Sequence, residues 1–86
     1  MPQDMRKDVS KRIARIHGHV HAIKKMLDEG RPYSEIAHQI SAVRAALNSV
    51  TQVIVDELVQ DCLASKQRKE PMEEALLELK AVIASI

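Results

Sequence analysis

Aromatic side chains are almost missing from this chain: one Tyr, no Phe and no Trp in 86 residues. A core of stacked rings is thereby excluded. The interior has to come from Ile, Leu, Val, Ala and Met, residues that interlock well between helices. Backbone breakers are equally scarce, with two Gly and three Pro, so an all-α chain of long helices is expected. One Cys gives no disulfide framework. No run approaches the ~20 apolar residues of a membrane span, and no basic-then-apolar leader pattern starts the sequence. A cytoplasmic protein with no membrane partner is therefore expected. No nucleophile–base pair and no phosphate-cradling Gly loop is visible, which argues against an enzyme. The length fits one domain, 1–86, near the size at which a lone core is marginal and oligomerisation commonly helps.

What is present is periodicity. The stretch from Tyr33 to about Ala64 holds neither Pro nor Gly. Its apolar residues fall on two heptad tracks: Ile36, Val43 and Val50, and Ile40, Leu47 and Ile54. One further step on each track lands on Glu57 and Asp61, carboxylates where an apolar residue was due. A helix of roughly 30 residues is about 45 Å long, too long for this chain to cover alone. The seam is expected to meet the same helix of a second copy.

Residues 1–4 read as a short mobile arm. From about Met5 to Asp28 a second stripe, Val9, Ile13, Ile16, Val20, Ile23 and Leu27, predicts an amphipathic helix. Gly18 inside it suggests close approach of another backbone. Glu29-Gly30-Arg31-Pro32 closes that helix and opens the next, giving an antiparallel hairpin. Ser65 to Lys69 is a polar break. Pro71, with Glu70, Glu73 and Glu74 around it, opens a third helix over about 70–86. Charge is uneven along the chain. Residues 1–28 carry Arg6, Lys7, Lys11, Arg12, Arg15, Lys24 and Lys25 against Asp4, Asp8 and Asp28, whereas residues 31–62 are net acidic. One face of an assembly can thus be basic although the net charge is only +1.

Two segments carry a family resemblance. Arg15-Ile16-His17-Gly18-His19-Val20-His21-Ala22-Ile23 and Gln39-Ile40-Ser41-Ala42-Val43-Arg44-Ala45-Ala46 resemble the first- and second-helix motifs of the CsoR/RcnR/FrmR family of small bacterial transcriptional repressors. The resemblance spans essentially the whole chain. It implies a three-helix protomer with a long central helix, an antiparallel dimer pairing into a tetramer (a dimer of dimers), and binding of double-stranded operator DNA without a helix-turn-helix. It also implies an effector site at the dimer junction: a Cys opening the second helix of one chain, and two ligands four residues apart near the end of the partner's.

At those positions the chain departs from the pattern. Aligned on Gln39-Ile40, the Cys falls on Tyr33 and the pair on Glu57 and Asp61, while Gln3 stands where some nickel and cobalt sensors carry an N-terminal His. Soft Cu(I) requires sulfur ligands, so copper chemistry is not supported, and neither is formaldehyde or persulfide sensing, although Pro2 is present. Glu57 and Asp61 suit either a hard cation or plain surface acids. His17 and His21, one turn apart, suit a divalent transition metal such as Zn, Ni or Co, or are simply polar flank residues, as His38 is. Cys62 lies about 100° round the helix from Asp61 and reads as a small, partly buried apolar residue. Arg12, Arg15 and Arg44, with Lys11 as a further candidate, match positions where the family carries DNA-contacting basic residues. The expected function is an effector-controlled DNA-binding repressor. The alternative is a helical interaction or co-regulator protein that has lost metal sensing and perhaps operator binding.

Overall fold

The computed structural model describes residues 3–67 and 72–86, the side chains of 65–67 excepted. They form three α-helices, α1 (Gln3–Asp28), α2 (Tyr33–Gln67) and α3 (Glu73–Ser85), with no strand among the described residues. Helix α1 takes in Gln3 and Asp4, which the sequence assigned to an arm; Asp4 in the first turn complements the positive end of the helix dipole. The expected start of the third helix, at Glu70 and Pro71, falls outside the described residues, as do Arg68 and Lys69 of the expected polar break; its first three residues, 65–67, instead continue α2.

The turn between α1 and α2 is built as its sequence suggests. Gly30 takes a left-handed φ of 72°. Its N–H donates to the Leu27 carbonyl (3.1 Å) and the Arg31 N–H to that of Met26 (3.0 Å), the paired bonds of a Schellman cap. The Pro32 carbonyl then accepts from Glu35 (3.0 Å) and Ile36 (3.2 Å), starting α2 at once. So short a link folds the two helices back as an antiparallel hairpin.

The packing divides each apolar stripe in two. Ile23, Ile36, Val43 and Val50 are only 5–8% exposed, with Ile16 and Met26 packed against the Ile23–Ile36–Val43 cluster. Ile13, Val20, Leu27, Ile40 and Leu47 remain 42–48% exposed. The 36/43/50 track is therefore spent inside the hairpin, and only the 40/47 track stays open, which corrects the expectation that both meet a second copy. From buried to open track is a step of four residues on either helix, a rotation of about 40°. On antiparallel helices that step turns both rows towards the same side of the hairpin.

Helix α3 packs on α2 and makes no contact with α1 among the described residues. The Cα envelope measures 58 × 24 × 13 Å, one helix thick. A stable domain ordinarily needs a second layer over its apolar face; this protomer has one.

Candidate functional site

Arg15 follows Arg12 by three residues and Lys11 by four, so the three share one flank of α1. Arg12 and Arg15 rim a shallow cleft of about 260 Å³ whose other walls are Ile16, Ala46, Ser49 and Val50. Apolar residues of the hairpin interior form its floor and two guanidinium groups its edge, an arrangement suited to a phosphate. Arg12 Nε donates to Asp8 Oδ2 at 3.0 Å, which holds the side chain along the helix. Arg44 is elsewhere. It lies two residues from Ala46, so about 160° round α2, and next to the open row at Leu47. Within one protomer it does not join the other three.

One turn beyond Arg15, half-buried His19 donates from Nε2 to Gln39 Oε1 at 2.7 Å and ties α1 to α2 beside the basic flank. Sequence analysis paired His17 with His21 and did not find this partner of His19. The available signal was the shared flank: His19 is four residues from Arg15 on α1, and Gln39 is seven residues, two turns, from the cleft residue Ala46 on α2.

The effector positions proposed from sequence are far apart in one chain. Tyr33, 83% exposed, opens α2, whereas half-buried Glu57 lies 24 residues further along the same helix, about 36 Å away. Asp61 is also half-buried. Only a second copy, running antiparallel, can bring the two ends together. At the far end the structure also shows which residues face inwards: Leu58 and Cys62, four apart, are 4% and 9% exposed. A strict seven-residue repeat drifts by about 20° per heptad on a straight α-helix. Counting in sevens from Val50 leads to Glu57, within about 20° of Val50's direction, while Leu58 lies about 80° away; the inward face at this end is therefore not a continuation of the 36/43/50 track. Cys62, expected to be partly buried, is buried outright with a free thiol.

This donor set does not fit the soft-metal site of the resemblance. It offers one thiol beside a leucine, flanked by carboxylates and an exposed phenol. Among the described residues no cluster of three or more His, Cys, Asp or Glu is placed to hold a metal ion. His17 and His21 are exposed on α1. Exposed His38 lines a second shallow cleft, about 410 Å³, with Met26, Arg31, Ser34, Glu35 and Gln39. Among the described residues no helix is long and apolar enough to cross a membrane.

Known proteins share this architecture. A family model described as metal-sensitive transcriptional repressor matches residues 5–85. The copper-sensing transcriptional repressor CsoR of Bacillus subtilis is 32% identical over 71 residues, 83% of this chain and 70% of that protein. The transcriptional repressor RcnR of Salmonella typhimurium is 30% identical over 74 residues, 86% of this chain and 82% of that one. Among solved structures, the nickel-responsive transcriptional regulator InrS superposes with a TM-score of 0.80 at 33% identity, covering 92% of this chain and 89% of InrS. A three-helix plan, a match over nearly the whole chain and relatives of this likeness agree: the chain belongs to the metal-sensitive transcriptional repressor family, a family of regulators and not of enzymes.

Proposed function

We propose that the protein is a homo-oligomeric repressor that binds double-stranded operator DNA through Lys11, Arg12 and Arg15, with Arg44 brought alongside by another copy. The observation that carries this reading is the two-sidedness of the hairpin. Its open apolar row (Ile13, Val20, Leu27, Ile40, Leu47) and its basic flank turn to opposite sides. A second copy that covers the apolar row leaves the arginines outward, repeated in every protomer. Repetition gives a row of phosphate contacts although each chain has a net charge of only +1. Pairing two such dimers into a tetramer doubles the set. An effector, metal ion or other small ligand, releases DNA by binding one quaternary arrangement more tightly than another.

The test is fluorescence anisotropy of duplex DNA from the region upstream of the gene, at several salt concentrations. Selective binding should weaken with salt. The Arg12→Ala/Arg15→Ala variant should lose at least about tenfold in affinity and show a shallower salt dependence. A second reading is favoured by α3, where Leu77, Ile83 and Ile86 are more than half exposed: a helical interaction protein that docks on another regulator. Equal binding to unrelated duplexes, or none, selects that reading over the first.

A further inference from the structure

The side of α1 away from the arginines carries a second pair of functional groups. His17 and His21 are both exposed and lie one helical turn apart within the 26-residue α1. That spacing brings their Cβ atoms to about 5–6 Å, close enough for two imidazoles to share one ion. Neither ring takes part in a hydrogen bond or ion pair, unlike His19, which is committed to Gln39. Two of the residues beside the pair are small, Ala14 three before His17 and Gly18 three before His21, where even an added Cβ would meet nothing within 4 Å, while Ile13 and Val20 border His17 on its other side. Water molecules can therefore complete a coordination sphere. The nearest cations, Lys24 and Lys25, are drawn along the helix by Asp28 (2.8 Å) and Glu29 (3.8 Å), which compensates their charge.

We propose that His17 and His21 form a metal site on the outer face of α1, taking one divalent transition ion of the imidazole-preferring class (Zn, Ni or Cu(II)) with water as the remaining ligands. Neutral imidazole is a good donor to these ions. The site is complete within one chain, unlike any site assembled from the two ends of α2. Its two ligands lie about 160° and 120° round α1 from Arg15, so an ion there does not compete with DNA on the basic flank. The proposal stands whether or not the chain is a repressor.

Isothermal titration calorimetry of the full chain with Zn²⁺ alone, in the absence of DNA, tests it. The wild type should take up one ion per chain. His17→Gln or His21→Gln alone should weaken binding roughly 100-fold, because the second ligand is then no longer held in place, and His19→Gln should leave it intact. All three positions are on a helix that circular dichroism can check for folding. With Cu²⁺ in place of Zn²⁺, electron paramagnetic resonance should show two nitrogen ligands. No Zn²⁺ uptake by the wild type would overturn the proposal. Unchanged uptake by the His17→Gln/His21→Gln double variant would do the same, as would loss of binding on Cys62→Ser.

Discussion

Ile23 illustrates how little separates an essential contact from a spare one in this chain. It is buried against Ile36 and Val43, whereas Val20, one turn earlier and of similar character, is nearly half exposed. Ile23→Ala should therefore destabilise the hairpin by about 2–5 kcal/mol, read from urea unfolding followed by circular dichroism. A loss below 1 kcal/mol would mean that the cluster does not hold α1 on α2. The ion pairs Arg12–Asp8, Lys24–Asp28 and Arg31–Glu35 are exposed and spaced four apart. Each supports its helix by only a few tenths of a kcal/mol, so they shape the surface more than they hold the fold.

At the scale of the element, the two glycines have opposite duties. Gly30 sits at φ 72° in the turn, where a side chain is strained, and Gly30→Ala should cost about 1–2 kcal/mol. Gly18 is helical with open space around it, so the backbone approach that its presence suggested is not found within the protomer. Gly18→Ala should stabilise by about 0.5–1 kcal/mol in chemical denaturation; a loss instead would place another chain against that spot. The helices themselves were legible because their apolar periodicity, the Gly-Arg-Pro turn and the absence of breakers all agree. Which track of each stripe closes the hairpin was not legible, since Ile36 and Ile40 are chemically the same and only the handed geometry of the turn chooses between them. The basic flank was legible as composition, but not the separation of Arg44 from Arg12 and Arg15. The inward pair Leu58–Cys62 was missed because the buried face changes along α2: Leu58 lies about 80° round the helix from Val50, and a seven-residue count follows only the track that packs on α1.

The whole molecule is one layer of helices with an open apolar row along one side. Burial of that row against a second copy would add to each protomer what its own core lacks. Leu47→Lys places a charge in the middle of the row without touching the buried track. It should shift the sedimentation-equilibrium mass towards the monomer and lower the thermal midpoint. An unchanged mass would show that another surface joins the copies. Ile36→Lys, by contrast, should abolish the helical signal itself, because that position is inside the hairpin.

The roughly 36 Å between Tyr33 and Glu57 reaches beyond mechanics. Where two chains run antiparallel, every junction takes one end from each. A chain altered near Tyr33 and a chain altered near Cys62 would, on mixing, build one junction with both faults and one with none. Two defective alleles then restore one of the two junctions in every mixed dimer, about a quarter of all junctions on random pairing, while a chain altered at both ends spoils each junction it joins. The length of one helix thus bears on dominance and complementation, and not on binding alone.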